Sequence, residues 1–176
     1  MLFVAPLLPL LSLTSALSIV NRRDDTTYKH ASLELTATGK CLTAVQDQNG
    51  DVIDGFQFVT CTGDTEWSVF KPAEGPKQIG FISRSFTPVL DAGDDGKPHD
   101  VSLEKPQYPR EGQKWLINYD GRISTFNGTL CLSQTKGAHG DPSIRAEGCG
   151  SGEDNKESNI LQVWKVVEFH GDSSSS

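Results

Sequence analysis

Short runs of alternating apolar and polar residues recur along the chain, separated by clusters of Gly, Pro, Asn and Asp. Ser32-Leu33-Glu34-Leu35, Gly80-Phe81-Ile82-Ser83 and Gly121-Arg122-Ile123-Ser124 have the two-residue period of half-buried strands bounded by turn residues. No window carries a sustained apolar stripe at helical spacing. The 17 Gly and 9 Pro residues punctuate the chain too densely for long helices. The pattern predicts an all-β protein.

Self-similarity refines that expectation. The tryptophans Trp67, Trp115 and Trp164 are 48 and 49 residues apart. Each is followed two residues later by a β-branched residue, Val69, Ile117 or Val166. Upstream of each lies a short apolar segment: Lys40-Cys41-Leu42-Thr43, Val89-Leu90-Asp91 and Leu130-Cys131-Leu132-Ser133. From the Leu to its Trp the counts are 25, 25 and 32. The longer third interval contains a polar stretch, 150–158, of loop composition. One unit of this size cannot bury its own apolar face, whereas three can share a core, and closure removes exposed strand edges. A β-trefoil of three repeats of about 48 residues meets these constraints; a plain sandwich gives no reason for the period.

The front of the chain departs from this pattern. No charged side chain occurs in the first 21 residues; Met1 to Leu13 is almost wholly apolar, and small residues follow at Thr14-Ser15-Ala16-Leu17-Ser18. Residues 1–18 read as a secretory signal peptide, cleaved after Ala16 or Ser18. A retained anchor is the alternative, opposed by Pro6, Pro9 and the small-residue exit. Residues 19–30 form a linker or short propeptide, in which Arg22-Arg23 is either a dibasic processing site or two solvated charges. The trefoil is expected over 31–169, and the Ser-rich tail 170–176 is expected to be disordered.

Charge narrows the partners. Of 176 residues, 16 are Lys or Arg and 23 are Asp or Glu, a net −7. Such a chain suits neither nucleic acid nor, once the signal is gone, an anionic membrane surface. Cys41, Cys61, Cys131 and Cys149 form two pairs separated by 20 and 18 residues. Four cysteines allow three connectivities, and the matched spacing favours Cys41–Cys61 and Cys131–Cys149 as intra-repeat disulfides of a secreted protein. A Cys-x-x-Cys zinc pattern is missing, and neither a metal nor a cofactor is expected. Asn127-Gly128-Thr129 is a glycosylation acceptor and equally a tight-turn sequence.

Gln113-Lys114-Trp115 and Gln162-Val163-Trp164 are two copies of Gln-x-Trp, with Thr65-Glu66-Trp67 a degenerate first copy. Together with Gly39-Lys40-Cys41-Leu42 and the Cys spacing, the chain resembles a ricin B-chain-type lectin domain over residues 31–168. The resemblance implies structural roles for Trp67, Gln113, Trp115, Gln162 and Trp164, the Trp filling the core and the Gln tying backbone. It implies a secreted, non-catalytic carbohydrate-binding protein. Sugar sites in that family pair an Asp after the first-strand Val or Leu with an aromatic two residues before the second Cys, and an amide near the Gln-x-Trp. A carboxylate accepts from sugar hydroxyls, a ring covers the apolar sugar face, and an amide fixes orientation.

The departures from that set are large. The first unit has Thr43 and Val59 at the Asp and aromatic positions, keeping only Gln57; the third has Ser133 and Glu147. The middle unit keeps the acid as Asp91, but its aromatic position falls near Glu104. Tyr108 and His99 are the substitutes, so Asp91, His99 and Tyr108 are the candidate carbohydrate contacts, with Asp91-Ala92-Gly93-Asp94-Asp95-Gly96 an acidic turn on the other reading. Asp47-Gln48-Asn49-Gly50-Asp51 reads as a turn, since a calcium loop would need a Glu where Phe58 stands. His30, His99, His139 and His170 are scattered, and no catalytic constellation stands out. The alternative is a trefoil that has lost sugar binding and acts through loops such as 93–112 and 150–158, as a protease inhibitor or protein-binding effector.

Overall fold

The computed structural model describes residues 29–62, 67–70, 72, 74–137, 140–150 and 160–168. The signal segment 1–18, Arg22-Arg23, Thr65-Glu66, His139, most of the 150–158 stretch and the tail lie outside them. Among the described residues, thirteen strands follow one another: β1 (Lys29–Leu35), β2 (Lys40–Gln46), β3 (Val52–Thr60), β4 (Trp67–Val69), β5 (Gly80–Phe81), β6 (Val89–Asp91), β7 (His99–Asp100), β8 (Ser102–Glu104), β9 (Leu116–Ile117), β10 (Ile123–Thr125), β11 (Leu130–Lys136), β12 (Pro142–Gly148) and β13 (Trp164–Glu168). Two 3-10 turns, η1 (Glu111–Gln113) and η2 (Phe126–Gly128), precede β9 and β11.

One sheet runs β3-β2-β1-β4-β5-β6-β8, with β13 joined to β1, and a second runs β7-β12-β11-β10-β9. All the pairings are antiparallel. Period-2 alternation places the core: in β12, Ile144 and Ala146 are buried while Arg145 and Glu147 face outward. Leu33, Leu35, Leu42, Leu90, Ile123 and Leu132 meet the three tryptophans in a single cluster. Trp67, Trp115 and Trp164 are 0%, 0% and 3% exposed.

One hydrogen bond recurs at each tryptophan. The indole Nε1 of Trp67 donates to the Leu42 carbonyl at 2.8 Å, that of Trp115 to Leu90 at 2.9 Å, and that of Trp164 to Leu132 at 2.9 Å. A buried indole N–H needs an acceptor, and each strand carbonyl supplies one. The same registers recur around it. Cys41 faces Val59, Val89 faces Glu104 and Cys131 faces Glu147 across their strand pairs.

Disulfides Cys41–Cys61 and Cys131–Cys149 close the first and last of these pairs, with Cα–Cα distances of 5.1 and 4.8 Å. The middle pair has Val89 and Pro106 there instead, and both line an apolar cleft of about 210 Å³ with Ser68, Gln78, Gly80 and Thr87.

The stretch 93–112, expected as an open loop, carries β7, β8 and η1. Val101 is buried and Leu103 packs against the core, so its apolar alternation is too short to stand out in sequence yet long enough to pair. Strand β8 binds β6, and β7 binds the far edge of β12. The strand expected over Gly80–Ser83 is shorter, ending at Phe81.

Candidate functional site

Asp91 ends β6, and the chain must leave the sheet immediately afterwards. Its Oδ1 accepts from the Gly93 amide at 2.7 Å, an Asx turn built into the exit. Its Oδ2 accepts from Gln113 Nε2 at 2.9 Å and lies 2.7 Å from Arg110 Nε. Rather than facing solvent as a hydroxyl acceptor, the carboxylate is 1% exposed. Burial of a charge requires such pairing, since desolvation without it costs several kcal/mol, on the order of the whole net stability of a domain.

Gln113 is the hub of this region. Its amide nitrogen also donates to the Lys105 carbonyl at 3.0 Å, and its Oε1 accepts from the Gln107 amide at 2.7 Å and from Gln78 Nε2 at 2.9 Å. Both donors and both acceptor directions are therefore used in a side chain with no exposed surface. Gln162 makes the matching pair of backbone bonds, to the Gly148 carbonyl and from the Gly150 amide. The residue between the two tied positions is Cys149 in one case and Pro106 in the other.

The 3-10 turn η1 lies against the exit of β6, and Ala92 donates to the Gly112 carbonyl at 2.9 Å. A side chain at Gly112 would place its Cβ 1.8 Å from the Gly93 carbonyl oxygen. Only glycine permits that approach. On the other side of Gly93 packs the His99 ring, which a Cβ there would meet at 3.5 Å. His99 is exposed on β7, opposite Ala146 of β12.

Tyr108 sits between Gln107 and Pro109 in the loop after β8, with 92% of its surface exposed. A cleft of about 220 Å³ opens beside it, lined also by Pro76, Lys77, Gln78, Gln107, Arg110 and Lys114. A backbone pairing between Lys77 and Trp115 joins two segments distant in sequence that flank this cleft. Lys114 Nζ lies 6.0 Å from the Tyr108 ring centroid, within cation–π range. Its partner Glu111, 2.5 Å away, raises the Lys114 pKa above the ordinary lysine value, by hydrogen bonding first and by charge second. Arg110 is one-quarter exposed; it pairs with Asp91 below, with Asp94 at 3.3 Å, and donates to Gln107 Oε1 at 3.2 Å.

Asp91 and Tyr108 thus meet through Arg110, which pairs with the one and lines a cleft with the other, while His99 packs on the Gly93 turn behind. Gln107, Gln78 and Lys114 are cleft residues that the family pattern does not indicate. Gln107 and Lys114 lie in or near the Gln113-Lys114-Trp115 motif in sequence, whereas nothing in the sequence marks Gln78. Chemically the cleft offers one open ring, amides with both donor and acceptor capacity, and cationic donors. Among the described residues, no group of three or more His, Cys, Asp or Glu is placed to hold a metal.

Asn127 is exposed in η2, in left-handed conformation (φ 56°), at the turn between β10 and β11. Asp47 makes a compact turn, its Oδ1 accepting from the Asn49 and Asp51 amides. Those bonds, with Asp51 first, lower its pKa from the ordinary aspartate value.

No family model matches the chain, and no curated protein matches it in sequence. Among solved structures, it is similar to the designed 3-fold symmetric protein ThreeFoil, with 16% identity and a TM-score of 0.55 over 80% of this chain and 99% of that one. It is similar to Cry35Ab1, with 18% identity and a TM-score of 0.57, over 81% of this chain and 36% of that one. The C-half of the earthworm R-type lectin, solved in complex with GalNAc, aligns at 13% identity with a TM-score of 0.47, over 80% of this chain and 99% of that one. At these identities the likeness concerns the fold: the chain is an all-β protein of β-trefoil type.

Proposed function

We propose that this is a secreted, non-catalytic carbohydrate-binding protein, lectin-like in action, with its recognition cleft in the middle of three units built to one plan. The three-unit plan is supported by the recurring Trp-to-Leu hydrogen bond and by the matched cross-strand registers. The observation that carries the function is Tyr108, an almost fully exposed ring at the edge of a cleft walled by Gln78, Gln107 and Arg110. Its face covers the apolar side of a sugar ring, and the amides and guanidinium take the hydroxyls. Asp91 acts from beneath as a positioning residue: it holds Arg110 and orients Gln113, which in turn fixes the Gln107 backbone. His99 supports the Gly93 turn and makes no sugar contact in this scheme.

Secretion is supported by the apolar front of the chain and by the two disulfides, which persist in oxidising compartments. A single shallow cleft of this kind gives affinity of about millimolar, roughly 4 kcal/mol. The test is a glycan array probed with the secreted, oxidised chain, wild type beside Tyr108→Ala. Signal on a defined glycan set, lost in Tyr108→Ala while the melting temperature holds, is the expected result. A blank array from folded protein overturns the reading and turns attention to a protein partner at the 105–110 loop.

A further inference from the structure

A second cleft of about 230 Å³ lies between η1 and η2, on the far side of Lys114 from Tyr108. Pro76 and Lys114 line both clefts, so the two adjoin across a shared wall. The walls of the second include Glu111, Ser124, Thr125, Phe126 and Asn127.

Three observations set this place apart. Its open groups are a carboxylate, an ammonium, an amide and a ring, which together recognise a polyol with one apolar face, while the Ser124 and Thr125 hydroxyls are buried. Glu111 and Lys114 pair with each other, at 57% and 30% side-chain exposure, so both remain reachable from solvent while their charges cancel. The backbone of Phe126 is left-handed (φ 48°), as is that of Asn127. A bulky residue rarely adopts that region, and strain of this sort, on the order of 1–3 kcal/mol, persists only where surrounding structure enforces it. Here Thr125 Oγ1 donates to the Glu111 carbonyl and Thr129 Oγ1 to the Phe126 carbonyl, pinning η2 to η1 on one side and to the start of β11 on the other.

We propose that the cleft between η1 and η2 is a second sugar subsite adjoining the Tyr108 cleft, so that the ligand is a neutral oligosaccharide of at least two residues. The proposal rests on the carbohydrate reading above and extends it from a single sugar to a chain. Glu111 accepts from hydroxyls, Lys114 and the Asn127 amide donate, and the Phe126 ring covers the apolar face. Neutrality follows from the cancelled pair and from the net −7 of the chain, which disfavours carboxylated or sulfated glycans.

The test is an array displaying matched mono-, di-, tri- and tetrasaccharides of neutral sugars, probed with the full chain produced oxidised and without a glycan at Asn127. The variants are Glu111→Gln, Asn127→Gly and Tyr108→Ala, each checked by thermal melting. Glycine suits the left-handed backbone at 127, so that variant keeps the turn. The expected result is a gain of about tenfold or more from mono- to trisaccharide, as for two linked sites. Glu111→Gln and Asn127→Gly should each remove that gain and leave the monosaccharide signal in place. Equal binding of mono- and trisaccharides, still dependent on Tyr108, overturns the second subsite and leaves the carbohydrate reading standing. Length-dependent binding lost in Glu111→Gln but kept in Tyr108→Ala supports the η1–η2 cleft and overturns the Tyr108 cleft. A blank array overturns both.

Discussion

The Asp91 carboxylate meets the Gln113 amide at 2.9 Å, with 1% and 0% of the two residues exposed. The carboxylate that family resemblance assigns to sugar is thereby committed to holding the middle of the molecule together. Asp91→Ala should cost about 2–4 kcal/mol in chemical denaturation, because Gln113 loses an acceptor and Arg110 its buried partner. Arg110 can swing towards water, which keeps the loss below that of a fully sealed pair. Asp91→Asn should cost less than Asp91→Ala, since its one amide oxygen can still accept from Gly93 or from Gln113, though not from both. A neutral Asp91→Ala would mean that the 2.7 Å approach of Arg110 adds nothing to stability.

Replacing an indole with a phenyl ring removes the equivalent bond at each of three positions. Trp67→Phe, Trp115→Phe and Trp164→Phe should each lower stability by about 2–3 kcal/mol, from lost volume and an orphaned Leu carbonyl. Similar losses across all three, measured by urea unfolding, are the expected outcome. A much smaller loss at one position would show that its carbonyl finds another donor.

These bonds also explain what was legible from the residues alone. The Leu-to-Trp spacing was visible because each indole must reach a fixed carbonyl across the core, and an interval of 25 residues serves twice. The disulfides were visible for the same reason, being tied to that register. The cleft was not. Its walls come from Lys77–Gln78 and from 107–114, joined by a bridge from Lys77 to Trp115 that leaves no local trace. The burial of Asp91 was hidden too, since Arg110 and Gln113 reach it only after β8 has folded back on β6.

Gly112→Ala should disrupt the middle of the protein, costing about 3 kcal/mol or more, because its Cβ would collide with the Gly93 backbone. Gly148→Ala is the control: nothing lies within 4 Å of a Cβ there, and its melting temperature should stay near that of wild type. The two melts are run side by side.

Asp47 titrates below its ordinary value because backbone amides bind its ionised form, Asp51 foremost. A depressed folded-state pKa stabilises the turn above the unfolded pKa, and that stability is lost as pH falls through the folded one. The carboxylate is fully exposed, so the effect should be confined to its own loop. NMR titration should show the Asn49 and Asp51 amides shifting together with the Asp47 carboxyl at strongly acidic pH. Shifts centred at the ordinary aspartate pKa would contradict the two hydrogen bonds.

Addition of a glycan at Asn127 would set a bulky polar chain at the rim of the η1–η2 cleft. Chain carrying that glycan should bind trisaccharides no better than monosaccharides, whereas wild-type chain produced without it should show the difference. Unchanged length dependence in the glycosylated chain would place the amide of Asn127 away from the bound sugar.

Strand β1 is bordered by β2 and β4 along one edge and by β13 along the other, with Leu33 facing both Leu42 and Val166. The first described strand therefore waits for the last. During vectorial synthesis, an early-made segment must stay unpaired on one side until residue 168 has left the ribosome, with its backbone donors and acceptors open to intruding strands. Assembly of this molecule is a closing of the ring rather than a growth from one end, and a truncation that removes β13 would leave a sticky edge instead of a smaller stable domain.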